Sequence, residues 1–155
     1  MTDLQTPRQR KRSTGFVCKV NYDIPLKERI VENGITCLNR KCLNSFLKYR
    51  PKTAVRNGVR LVKIKLFKPR KRFDTKAVLR EIKKRGGRPA IVEEVLTLRL
   101  AHPTSLTVSI VGLGSICNKP PLLPLTFRWA GKWRLGFTDP EDEWGASDQF
   151  AYIQD

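Results

Sequence analysis

The chain has 155 residues, with 31 Lys and Arg against 14 Asp and Glu, for a formal net charge of +17. Its 40% hydrophobic content supports one core of ordinary domain size and leaves little room for a second domain. No stretch approaches the roughly 18 apolar residues that span a bilayer, and residues 1–14 lack the apolar run of a secretory signal, so no transmembrane segment is expected and the default compartment is the cytoplasm.

In chain order, residues 1–14 carry Arg8, Arg10, Lys11 and Arg12 among Thr, Gln, Pro and Ser. Too polar to fold alone, they read as a disordered basic tail that can reach a phosphate backbone, ahead of a single α+β domain over 15–155. Residues 15–20 alternate as a short strand, with Asn21-Tyr22-Asp23 as its exit turn. Residues 25–32 suit a helix capped by Asp23, with Pro25 in the first turn and Asn33-Gly34 ending it. Between 35 and 52, Leu38, Cys42, Leu43, Phe46 and Leu47 fall near one helical face, and Lys48, Arg50, Lys52 and Arg56 surround Tyr49.

Asn57-Gly58 turns the chain into its clearest strand, 60–66. Val62, Ile64 and Leu66 point one way and Leu61, Lys63 and Lys65 the other, which predicts a core below and a basic face above. Lys68, Arg70, Lys71 and Arg72 follow on the exit loop, and with the cations around Tyr49 they are expected to form one continuous basic surface. Tyr49, Phe67 and Phe73 interleave with these cations as base-stacking aromatics do, although aromatics beside a strand more often belong to a core.

Asp74 caps a helix over 75–85 that turns Val78, Ile82 and Ala77 inward, places Lys83, Lys84 and Arg85 at its negative end, and stops at Gly86. Arg85 and Arg88 flank Gly86-Gly87 and are candidate phosphate contacts. Pro89 suits the first turn of the next helix, in which Ile91, Val92, Val95, Leu96, Leu98 and Leu100 spread over most of the circumference; this helix should be buried, and Pro103 stops it. Strands follow at 106–111, 125–129, 132–137 and 149–153, with Ala130-Gly131 as a hairpin turn. Five or six strands clustered toward the end, with three or four helices, give an α+β fold on a mixed or antiparallel sheet.

Catalytic and metal signatures are missing. Of Cys18, Cys37, Cys42 and Cys117 only Cys37 and Cys42 are near neighbours, with four residues between them and no second close pair, so the cysteines read as buried or unpaired thiols. His102 at a helix end is expected to cap and pack. Gly112-Leu113-Gly114-Ser115 lacks the third glycine, the following helix and the lysine of a nucleotide loop, and reads as a tight bend. The acidic run 139–143 lacks calcium-ligand spacing, and Trp129, Trp133 and Trp144 are expected in core and hairpin packing. No cofactor, metal site or catalytic residue is expected.

Arg88-Pro89-Ala90, Glu93-Glu94-Val95-Leu96, His102-Pro103 and Ile110-Val111-Gly112-Leu113-Gly114-Ser115 together resemble a group of small uncharacterised bacterial proteins. Val20-Asn21-Tyr22-Asp23, residues 24–34 and Phe150-Ala151-Tyr152-Ile153 extend the resemblance over most of 16–153. It implies a shared bacterial domain and carries over no catalytic residue. The chain departs from that group in being far more basic and in having His102 where an aromatic is commoner.

The charge is regional: up to Ala90 there are 26 basic and 6 acidic residues, a net of +20, and from Ile91 onward 5 and 8, a net of −3. Such asymmetry attracts polyanions, of which nucleic acid is the commonest, because each neutralised phosphate releases condensed counterions. The expected function is phosphate contact with RNA or DNA, without catalysis, through Arg8, Arg10, Lys11, Arg12, Lys63, Lys65, Lys68, Arg70, Lys71, Arg72, Arg85 and Arg88. An acidic protein would satisfy the same field; the second expectation is a protein-interaction or accessory regulatory module, of phage or mobile-element origin, that uses the Trp-rich C-terminal sheet.

Overall fold

The structure is a computed structural model that describes residues 15–32, 34–51, 56–69, 73–102, 109–118, 121–141, 144 and 148–154. In chain order its elements are β1 (Phe16–Asn21), α1 (Leu26–Glu32), β2 (Thr36–Cys37), α2 (Arg40–Tyr49), β3 (Val59–Phe67), α3 (Thr75–Lys84), β4 (Gly87–Pro89), α4 (Val92–Ala101), β5 (Ser109–Val111), a 3-10 turn (Leu113–Ser115), β6 (Cys117–Asn118), β7 (Pro121–Trp129), β8 (Lys132–Thr138) and β9 (Asp148–Gln154). The fold is α+β.

Seven strands lie side by side in the order β1-β3-β9-β5-β7-β8-β2, while β4 adds to β9 and β6 to β7. The sheet is mixed: β2 runs parallel to β8 and β5 parallel to β9, and the other pairs are antiparallel. Because side chains alternate along a strand, the central strands β3, β9, β5 and β7 feed cores on both faces. On one face Cys18, Val20, Ile64, Ile110, Ala151 and Ile153 meet Ile91, Val95 and Leu98 around α4. The far side of α4, Val92 and Leu96, meets Leu26 and Ile30 of α1, Leu43 and Phe46 of α2, and Leu135 of β8. On the opposite face Phe67, Val111, Leu123, Phe150 and Tyr152 meet Val78 and Ile82 of α3. Three helices thus cover one face of the sheet and α3 alone covers part of the other.

Local chemistry explains these elements. Asp74 caps α3 by accepting from the Ala77 N–H at 2.7 Å, and Gly86 ends it at φ 76°. Val78 and Ile82, fully buried, each contribute about 1.5–3 kcal/mol of burial. Both residues of the β7-β8 turn have positive φ, Ala130 at 51° and Gly131 at 75°, the backbone that matches the twist of a two-residue hairpin.

Several expectations are corrected. Asp23 does not cap α1; its carboxylate accepts from the Gly58 N–H at 2.9 Å and ties the exit of β1 to the entry of β3. Pro89 does not open α4: it lies in β4 opposite Tyr152, and the Ala90 N–H donates to Ala151 O at 2.9 Å, which holds this stretch on the sheet until Ile91. Leu38 is exposed and precedes α2, and Leu100 is exposed on α4. Pro103 and the first part of the strand expected at 106–111 lie outside the described residues. β7 starts at Pro121, earlier than expected, because its proline-bearing end pairs with β6 at Pro121 and Leu122 and with β8 from Leu123 onward.

The glycine bend after β5 is seated against the start of α4. The Gly114 N–H donates to Ala90 O at 2.9 Å, and the buried Ser115 hydroxyl accepts from the Val92 N–H at 2.8 Å. A Cβ on Gly114 would stand 2.7 Å from Pro89 O and 2.8 Å from Ala90 O, which are backbone atoms that cannot swing aside. Gly114→Ala is therefore expected to lower stability by about 1–3 kcal/mol, read as a reduced urea midpoint with unchanged slope.

Candidate nucleic-acid interface

The described cations divide between interior and surface. Interior ones answer α4. Glu94 is fully buried and accepts four hydrogen bonds: from Tyr22 Oη at 2.6 Å, Arg88 Nη2 at 2.7 Å, Arg88 Nη1 at 3.2 Å and the Ile91 N–H at 2.9 Å. Glu93 takes a two-pronged pair from Arg50 at 2.5 and 2.9 Å. The buried Arg29 of α1 donates to Thr97 Oγ1 at 3.1 Å and to the Asn21 carbonyl, and Thr97 in turn donates to Glu93 O at 2.7 Å. Arg99 donates from Nε to Thr126 Oγ1 at 3.3 Å and lies 3.5 Å from the centre of the Trp133 ring.

These environments move the protons in definite directions. Burial and the Glu94 carboxylate both push the Tyr22 phenol well above its ordinary range. Burial works against the Arg88 charge, but the hydrogen bond and charge of Glu94 outweigh it and hold the guanidinium above its usual value. Burial lowers Arg29 despite the opposing pull of Glu93, and lowers Arg99 to about 10.

The outer surface lies on the α3 side of the sheet. Along β3, residues 61, 63 and 65 share the face of Phe67; opposite them Val17 pairs with Lys63, Lys19 with Leu61, and Tyr152 with Lys65. Beyond the cover of α3 this face is open: Lys19 and Lys63 are exposed, and Val17 and Leu61 are 69% and 73% exposed. On α3 itself Lys76, Arg80, Lys83 and Lys84 recur at one face of the helix, opposite Val78 and Ile82, and all four are exposed.

Of the residues expected to bind, Lys63 and Lys65 sit on this face, and Lys68, exposed at the exit of β3, lines a shallow depression with Arg85, Phe67, Phe73 and Glu81. Arg85 is partly committed, with Nε on Glu81 at 3.1 Å and its guanidinium over the Phe67 ring. Arg88 is not a free cation: its guanidinium is paired with Glu94, with 24% of the side chain still exposed. Arg8, Arg10, Lys11, Arg12, Arg70, Lys71 and Arg72 lie outside the described residues.

The single basic surface expected to include the Tyr49 region is also corrected. α2 belongs to the other side of the sheet, Arg50 is spent on Glu93, and Lys52 lies outside the described residues. Of the aromatics, Phe67 is buried, Phe73 is half-buried beside it, and Tyr49 is exposed under Lys48. Trp144 is core and Trp133 packs under Arg99, but Trp129 is exposed, contrary to the packing role expected of it. The α3 stripe was missed as a site, although its spacing, complementary to Val78 and Ile82, is present in the sequence.

His102 stacks on Phe16 with ring centres 4.7 Å apart, whereas Cys117 is buried in the cluster around Phe46. The four cysteines are free thiols, and burial raises Cys18, Cys37 and Cys117. No helix among the described residues is long and apolar enough to cross a membrane. Comparison with protein-family models, with curated proteins and with solved structures finds no match. What the chain does has to be read from its own geometry.

Two outcomes are expected of the interior network. Glu94→Gln leaves the Arg88 cation without its counter-charge and should cost about 3–5 kcal/mol in urea unfolding at pH 7. Tyr22→Phe should cost about 2 kcal/mol there, the worth of a hydrogen bond to a charged group. The folded chain keeps the phenol proton after the unfolded chain has lost it, so Tyr22 contributes fully below about pH 10 and progressively less above it. The stability gap between wild type and Tyr22→Phe should therefore narrow as pH rises past 10.

Proposed function

We propose that this chain binds nucleic acid through its phosphates, without catalysis, on the face of the sheet that carries α3. The observation that carries the reading is the exposed cation stripe of Lys76, Arg80, Lys83 and Lys84 on α3, with Lys63, Lys65 and Lys19 on the adjoining strands of the same face. The nearest carboxylate on α3, Glu81, is paired with Arg85 and so offsets little of this charge. Lysines on flexible stems suit sequence-independent contact with a phosphate backbone, whose register they need not read. The basic segments around Arg8 to Arg12 and Arg70 to Arg72 add to the same field by their composition.

The test is a salt titration with a generic oligonucleotide. At about 0.7–0.9 per phosphate contact, five to seven engaged cations give a slope of log affinity against log salt of about −4 to −6. Arg80→Glu with Lys83→Glu should reduce that slope by about 2 and weaken binding at least about tenfold near 0.1 M salt. Both positions are exposed, so stability should stay within about 0.5 kcal/mol of wild type. Salt-insensitive recovery of a stoichiometric protein partner, with no oligonucleotide bound, would replace this reading by the interaction-module one.

A further inference from the structure

The chain beyond Ala90 is net acidic, yet three of its five cations, Arg128, Lys132 and Arg134, lie in the β7-β8 hairpin, and residues 121–138 contain no carboxylate. The register sorts this hairpin into two unlike faces. Trp129 stands opposite Lys132 and Phe127 opposite Arg134, on the side of Leu123 and Leu125, which is the α3 side of the sheet. Trp133 turns to the other side and packs beneath Arg99. Trp129 is 61% exposed at the tip, with the Arg134 guanidinium 5.7 Å from its ring centre and Lys132 exposed opposite it, while Arg128 stands opposite Trp133 on the other face and is exposed there. Arg134 Nε is buried and has no hydrogen-bond partner among the described residues, so the outer guanidinium nitrogens are the ones left to a ligand.

The platform is well supported from beneath. Phe127 lies across Gly136, where a Cβ would come within 2.7 Å of its ring, and the two-residue turn fixes where Trp129 and Lys132 emerge. An indole 61% exposed at a hairpin tip leaves most of its surface unburied by the fold, and two cations beside it in a hairpin with no carboxylate select a polyanion over an ordinary protein surface.

The geometry points to single-stranded nucleic acid as the ligand class of this face, with an unpaired base stacked on Trp129 and the flanking phosphates met by Lys132 and Arg134. This rests on the nucleic-acid reading above and deepens it. A duplex keeps its base faces stacked inside and offers the indole nothing, whereas every unpaired base has a free π-face, so such contact is tolerant of sequence.

The experiment measures binding of a fluorescein-labelled 20-nucleotide oligo-dT, an oligo-rU and a 20-base-pair duplex to wild type, Trp129→Ala, Trp129→Phe and the Arg80→Glu/Lys83→Glu variant. Thermal unfolding shows that each protein is folded. Trp129→Ala should lose at least about fivefold in affinity for the single strands and leave duplex binding unchanged. Trp129→Phe, which keeps a ring, should recover most of that loss, and the quenching of tryptophan fluorescence by oligo-dT should fall in both variants. If Trp129→Ala binds single strands as tightly as wild type while the α3 variant weakens every probe, the hairpin assignment fails and the nucleic-acid reading stands. If wild type binds none of the three probes, both fail. If Trp129→Ala weakens single strand and duplex equally, the stacking assignment is overturned in favour of a general electrostatic contact.

Discussion

α4 is buried over most of its length, between the sheet and the pair α1 and α2, and it carries Glu93, Glu94 and Arg99 into that interior. A charge taken out of water is tolerable only when it is paired and hydrogen-bonded. The carboxylates are met from elsewhere in the chain: Tyr22 at the exit of β1, Arg88 on β4 and Arg50 at the end of α2. Arg29 of α1 reaches the same helix through Thr97, and Arg99 reaches back to Thr126 on β7. Placing this one helix therefore fixes the relative positions of most other elements, and the apolar clusters fill the space so defined.

The same requirement divides the cations by type. The inward ones on this network, Arg29, Arg50, Arg88 and Arg99, are all arginine, whose planar fork can pair with a carboxylate or lie over a ring and whose charge survives burial. The exposed face of β1, β3 and α3 is lysine apart from Arg80, and lysine keeps its compact charge hydrated. Net charge in the sequence thus mixes two populations with opposite duties. Among the described residues, it is the exposed population, mostly lysine with Arg80 on α3 and the arginines of the β7-β8 hairpin, that a ligand can meet.

Elements with a full period were legible in the sequence. The alternation of β3, the Asp74 and Gly86 brackets of α3 and the Ala130-Gly131 turn each rest on local chemistry that three to ten residues suffice to express. β2, β4 and β6, of two or three residues, have no periodicity to read, and they exist because a partner strand offers an open edge. The start of α4 was misplaced because Pro89 suits a strand as well as a first turn, and the choice is made by Ala151, 61 positions after Ala90. The site was half legible for the same reason. The outward direction of Lys63 and Lys65 follows from β3 alone, whereas the fate of Arg88 and Arg50 depends on carboxylates in α4, and the exposure of Trp129 on which side of the sheet the hairpin presents.

Ser115 closes the first turn of α4 from a bend 23 residues further on, since Ile91 has no side-chain acceptor of its own. The helix is therefore not an autonomous unit. Its amino end is completed only when the bend after β5 has arrived, and its apolar circumference is shielded only when the sheet and α2 have closed around it. Closing such distant contacts costs chain entropy before they return any stability. Opening α4 therefore requires the sheet and α2 to part, and exchange of its amide protons with solvent should report opening of the whole sheet rather than fraying of one element.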